Sequence, residues 1–114
     1  MKKLLLFLAI VASTTSCSLL PRDHDPVMFD RLVMLDVDIV AIDCETPDWT
    51  IAERNSEILA KSAEWRNDPQ AENLAGLYKH VARMQQGGSV TFCKLGKKTA
   101  AGRIDAAKTA WENR

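Results

Sequence analysis

Three dipeptides divide most of this chain into segments before any other feature is considered. Asp25-Pro26, Thr46-Pro47 and Asp68-Pro69 each place a residue that can cap a helix directly before a proline. The cap oxygen accepts one of the unpaired N–H groups of a first helical turn, and proline at the first helical position has no N–H to leave unpaired. A fourth punctuation mark, Gly87-Gly88, stops whatever precedes it. With connections this short, consecutive helices run antiparallel. The spacing therefore predicts an all-α chain, a small antiparallel four-helix bundle.

The first segment, Pro26 to Asp43, puts Met28, Leu32, Leu35, Ile39 and Ile42 on one helical face. The same stretch also alternates through Val33, Leu35, Val37, Ile39 and Ala41, which is the pattern of a strand. The cap and the persistence of the helical face favour a helix, with β structure as the rival. The second segment, Pro47 to Asn67, offers Ile51, Ile58, Leu59 and Trp65, interrupted by Asn55 and Ser62. Thr50-Ile51-Ala52-Glu53 has the form of a capping box that would start this helix a few residues later. The third, Pro69 to Gln86, carries Leu74, Leu77, Tyr78, Val81 and Met84 on one face. The fourth begins near Ser89 or Lys97 and ends near Asn113, with Ala100, Ile104, Ala107 and Trp111 aligned. Gly96 and Gly102 weaken its first part, so Val90 to Cys93 has an extended alternative.

The amino terminus carries a different signal. Met1-Lys2-Lys3 is positive, and Leu4 to Ala12 is an unbroken apolar run of nine residues. A helix of that length rises about 13.5 Å, less than half of a hydrocarbon core of about 30 Å, so it reads as the core of a secretory signal and not as an anchor. Ser13-Thr14-Thr15-Ser16 then leads into Cys17. Small uncharged residues running into a cysteine resemble the lipobox of bacterial lipoprotein signal peptides. Thr14 stands where that motif usually has leucine, while Ser16 fits. The resemblance covers residues 1–17. It implies cleavage before Cys17, a diacylglyceryl thioether on its sulfur and a palmitate-type acyl chain on the new amino terminus. The implied organisation is a signal peptide over residues 1–16, a lipidated tether over 17–25 and a helical periplasmic domain over 26–114. Two or more acyl chains hold a protein stably on a bilayer. Ser18, where enterobacterial lipoproteins retained at the inner membrane have aspartate, implies the outer membrane.

The periplasm is oxidising, and there a thiol pair is expected as a disulfide. If Cys17 is acylated, Cys44 and Cys93 remain. The antiparallel arrangement independently brings the end of the first helix and the start of the fourth to one end of the bundle. Cys44–Cys93 is therefore the expected bridge.

Charge is unevenly divided. Residues 17–72 carry 13 acids and five bases, whereas residues 73–114 carry two acids, Asp105 and Glu112, against eight bases. Either the basic half is a face for an acidic partner, or the two halves pack together and screen each other. Nucleic acid is not an expected partner, because the chain is exported and no aromatics interleave the bases.

Catalytic constellations are missing from the sequence. His24, in Arg22-Asp23-His24-Asp25, has too few companions for a zinc site, and His80 has no carboxylate beside it to orient it. Asp36-Val37-Asp38 opens like a calcium loop, but Ala41 and Pro47 occupy the positions where glycine and glutamate are required. No nucleophile elbow, P-loop or dinucleotide fingerprint occurs. The expectation is no enzyme, no cofactor and no metal. Trp49, Trp65 and Trp111 are the natural contact residues for a protein partner, or else caps on the ends of the core, with Trp65 and Trp111 at the end away from the bridge.

These features lead to a membrane-anchored envelope lipoprotein with a binding or structural role, its lipid anchor at Cys17 and its partner another envelope protein. Two rival functions fit the same frame. One is a phage-type lipoprotein, either an outer spanin subunit (although four prolines are few for one) or a superinfection or entry-exclusion factor. The other is an inhibitor of a periplasmic enzyme.

Overall fold

The computed structural model describes residues 25–113, so the expected signal peptide, Cys17 and the expected tether up to His24, together with Arg114, lie outside the described residues. Four helices follow in order: α1 (Pro26–Val40), α2 (Thr50–Trp65), α3 (Ala71–Gln85) and α4 (Val90–Glu112). There is no strand among the described residues. Each helix packs on its neighbours in a closed ring: α1 on α2, α2 on α3, α3 on α4, and α4 back on α1. The described residues form an all-α four-helix bundle, with Cys44 bonded to Cys93.

The helix starts follow the expected chemistry in one case of three. Asp25 caps α1, its Oδ1 accepting from the N–H groups of Val27 and Met28 at 3.0 and 3.2 Å, and Pro26 is the first helical residue. The other two prolines lie ahead of their helices. α2 begins at Thr50, where Asp48 Oδ1 accepts from the Thr50 backbone and hydroxyl at 3.0 and 2.6 Å. The Thr50 hydroxyl, and after it the Thr50 N–H, hold the Asp48 carboxyl below the ordinary carboxylate range. This support is present above that range and is lost as pH falls through the lowered value. Trp49, the N-cap residue, offers no side-chain cap of its own. Gln85 at the end of α3 supplies one, accepting from Trp49 N at 2.7 Å and donating to Thr50 Oγ1 at 2.7 Å. At the start of α3, Asp68 Oδ1 accepts from Gln70 N and from Trp111 Nε1, at 2.8 and 3.2 Å. Asp68-Pro69 is thus a side-chain-closed turn, and α3 proper starts at Ala71.

The strand alternative for the first segment is not realised. Leu35 and Ile39 are buried, whereas Val33 and Val37 point away from the core. The extended alternative for Val90–Cys93 fails as well. Ser89 Oγ accepts from Phe92 N at 3.1 Å, which starts α4 there and not at Lys97. Gly87 and Gly88 adopt positive φ and turn the chain between α3 and α4.

The core is built from Met28, Leu32, Leu35 and Ile39 of α1, Leu74, Leu77, Val81 and Met84 of α3, and Ala100, Ile104, Ala107 and Trp111 of α4. α2 keeps part of its expected face: Leu59 is buried and Ile58 half-buried, but Ile51 and Trp65 are exposed, and Ala52, Ser56, Ala60 and Ala63 complete the buried side. Small side chains let α2 approach its neighbours closely, and the Ser56 hydroxyl stays satisfied by donating to the Glu53 carbonyl. Gly96 serves the same purpose on α4: a Cβ there would run into the Met84 side chain. The tryptophans at the two ends of the core are Trp49, beside the Gln85 cap, and Trp111, on Asp68. Trp65 does not join them.

Two predictions test this packing. Leu35→Ala should cost about 2–5 kcal/mol in chemical denaturation, because its side chain is fully enclosed. Val37→Ser, two residues away, should stay within about 0.5 kcal/mol of the parent. Cys44→Ala should cost up to about 4 kcal/mol under oxidising conditions, since the bridge closes a 49-residue separation. Reducing agent should bring the parent protein down to the level of the variant.

Candidate functional site

α1 is apolar on more sides than the bundle can cover. Its core face accounts for Met28, Leu32, Leu35 and Ile39. At 3.6 residues per turn, Val33, Val37 and Val40 fall on the opposite side, with Val27 and Met34 on the flank toward α2. All five are open to solvent, from 45% for Val33 to 66% for Val40. α2 extends the flank with Ile51 and Trp65, which are 67% and 81% exposed. Among the described residues, seven of the nine large exposed hydrophobics thus belong to α1 and α2, and the other two, Phe92 and Leu95, to the start of α4. Single exposed hydrophobics are ordinary; the concentration of these on two adjacent helices makes the α1–α2 side the candidate interaction surface.

The α1–α2 face is held rigid from both ends. Asp25 Oδ2 accepts from Arg66 Nη1, tying the start of α1 to the end of α2. Asn55 Nδ2 donates to Asp38 Oδ2 at 2.8 Å farther along. Between these ties runs an open groove lined by Val27, Asp30, Arg31, Met34 and Asn55. The groove lining itself holds one acid and one base, Asp30 and Arg31.

On the other flank, α1 is fixed to α4. Cys44 and Cys93 are bonded, with their Cα atoms 5.6 Å apart. Lys97 Nζ donates to the carbonyls of Val40 and Ile42, at 2.9 and 2.8 Å. A cation on the last carbonyls of a helix satisfies unpaired acceptors and opposes the negative end of the helix dipole.

Of the residues singled out by sequence, Cys17 and His24 lie outside the described residues. Asp36, Val37 and Asp38 are consecutive residues of α1, not a loop. His80 is half-buried and donates from Nε2 to the Gly96 carbonyl at 2.9 Å, which joins α3 to α4. Among the described residues, no three His, Cys, Asp or Glu side chains are placed to hold a metal ion. The acidic helices α1 and α2 lie beside the basic α3 and α4, yet neither ion pair among the described residues joins the two halves. Asp25–Arg66 lies within the acidic half, and Lys108–Glu112 lies within α4. Exposed bases of α3 and α4, among them Lys79, Arg83, Lys94 and Lys98, face solvent. In the α2–α3 groove the Glu57 carboxylate, with burial, pushes the Tyr78 phenol up.

The exposed α1–α2 face was not identified as a site by sequence reading. Its signal was present in Val33 and Val37, which alternate with Leu35 and Ile39 and made a helix look like a strand.

No known protein family, no curated protein and no solved structure matches this chain.

The three tryptophans give this face an optical test. Trp65 should be quenched by iodide or acrylamide, and Trp49 and Trp111, each at most 3% exposed, should resist. Trp65→Phe should remove the quenchable fraction. Quenching that persists undiminished in that variant would mean that Trp65 is not the open one.

Proposed function

We propose that this chain is a bacterial lipoprotein, acylated at Cys17 and held on the periplasmic face of the outer membrane, whose helical domain docks an envelope protein without doing chemistry. The lipobox-like run into Cys17 supports the anchor. A bonded Cys44–Cys93 pair suits an oxidising compartment. Among the described residues no helix is long and apolar enough to cross a membrane, so a bilayer attachment of this domain would rest on the tether. The observation that carries the docking role is the uncovered apolar side chains of α1 and α2.

Charge gives the first helix a preference. α1 carries Asp30, Asp36 and Asp38 against Arg31 alone, which favours a protein surface bearing bases over an anionic lipid surface. The tether fits this geometry. It joins α1 directly, and nine extended residues from Cys17 to Asp25 reach about 30 Å at most. The first helix therefore works close to the membrane, among other anchored proteins.

Crosslinking of the lipidated protein in intact envelopes tests this reading. A discrete adduct of defined mass is expected with the parent chain. It should be lost both with Cys17→Ala and with the pair Met34→Glu and Ile51→Glu, and kept with Lys79→Glu on α3. An adduct indifferent to both Cys17→Ala and the face substitutions would refute the docking role.

A further inference from the structure

The side of the ring opposite α1 and α2 carries the opposite charge. Between Glu72 and Asp105 the sequence holds no acid and six bases: Lys79, Arg83, Lys94, Lys97, Lys98 and Arg103. We propose that the α3–α4 side of the bundle lies on the phosphates of an anionic lipid surface, with Phe92 and Leu95 among the headgroups and α1 and α2 turned away from the bilayer. This orientation rests on the membrane attachment proposed above.

Two of the six bases are engaged inside the protein. Lys97 holds the carbonyls of Val40 and Ile42, and Arg103 Nη1 donates to Asn73 Oδ1 at 3.2 Å. Lys79, Arg83, Lys94 and Lys98 are exposed and join neither ion pair among the described residues. Lys79 stands four residues before Arg83, and Lys94 four before Lys98. Each helix thus carries a like-charge pair at the spacing where the two repel, and external anions relieve both.

Helical geometry gathers three of these bases around two apolar side chains. On α4, Leu95 points away from the core residues Cys93, Ala100 and Ile104, with Phe92 turned toward α3 and Lys98 toward α1. On α3, Lys79 points away from Leu77 and Val81, and Arg83 is turned toward α4. Bonds across the seam set the levels: His80 Nε2 donates to the Gly96 carbonyl, and Asn73 Nδ2 to the Arg103 carbonyl. On antiparallel helices of equal rise, Arg83 then falls within one turn of Leu95, and Lys79 within one turn of Lys98. Phe92 and Leu95 are 39% and 58% exposed. Apolar side chains beside long basic ones suit a lipid interface, where the stems bury and the cationic heads reach phosphate.

The far side of the bundle selects the same orientation. Residues 17–72, with 13 acids against five bases, would be repelled by an anionic surface. The tether permits it. From α1 to a surface beneath α4 is about 15 Å, one interaxial distance plus a helix radius, against a tether reach of about 30 Å. The exposed apolar side chains of α1 and α2 stay open to a protein partner.

The lipidated chain recovered from membranes and reconstituted into vesicles tests the orientation. Trp65→Phe combined with Leu95→Trp leaves one exposed indole, on α4. The vesicles are phosphatidylcholine alone or phosphatidylcholine mixed with phosphatidylglycerol, each with bromine on part of its acyl chains. The α4 indole is expected to be quenched roughly two-fold more in the mixed vesicles. Arg83→Glu with Lys98→Glu should remove that difference while thermal unfolding stays unchanged. Trp65 of the parent chain should show no such gain. Equal quenching of the α4 indole in both vesicles, a difference that survives the charge reversal, or a matching gain at Trp65 would each overturn the proposal. Flotation reads the anchor separately: a chain that fails to float with phosphatidylcholine alone lacks it, and quenching in the mixed vesicles still decides which side meets lipid.

Discussion

The Cys44–Cys93 bond and the Lys97 ammonium act together at one end of the bundle, and the position of α1 depends on them. α1 reaches the rest of the protein through two seams only, with α2 and with α4. The seam with α2 carries the Asp25–Arg66 and Asp38–Asn55 contacts, which are partly or fully exposed. Such contacts contribute little by themselves. The seam with α4 has a covalent bond, plus two charge-assisted hydrogen bonds to carbonyls that would otherwise lack partners. This constraint turns three hairpin-connected helices and an apolar first helix into a closed ring. It also fixes which sides of α1 are buried and which are left for other molecules.

A helix with apolar residues on opposite sides is costly for a small free protein. Val33, Val37 and Val40 add nothing to the core and expose surface that favours association. The core itself is economical, using alanine and glycine where α2 and α4 approach their neighbours. A domain of this size has little stability to spare. Its unburied valines are therefore better understood through what they contact than as packing. A lipid anchor would restrict such a face to the plane of the membrane, where partners are concentrated by the same means.

The four helices and their bridge were legible in the sequence because they rest on local chemistry: Asp25 before Pro26, Ser89 before α4, the paired glycines, and two cysteines with one antiparallel geometry. The misread features have a common physical cause, namely that local signals do not reveal who the neighbour is. Asp48 and Asp68 bond backbone groups two residues on, which moves the helix starts past Pro47 and Pro69. α2 was assigned its largest side chains as a core face, but close approach between helices selects Ala52, Ala60 and Ala63 and turns Trp65 outward. Gln85 as the cap of α2 was invisible, since it comes from 35 residues away. The exposed apolar side of α1 hid behind a helix-or-strand ambiguity, because periodicity reports that a residue is apolar without reporting whether anything lies against it.

The sulfur chemistry of the mature protein is the most direct measure of this account. Mass spectrometry of the chain recovered from membranes, without reduction, is expected to show a first residue Cys17 carrying acyl chains. It should also show one linked peptide pair joining Cys44 to Cys93, and no free thiol. A bare sulfhydryl at Cys17, or a bond from it to either of the other two cysteines, would contradict the account.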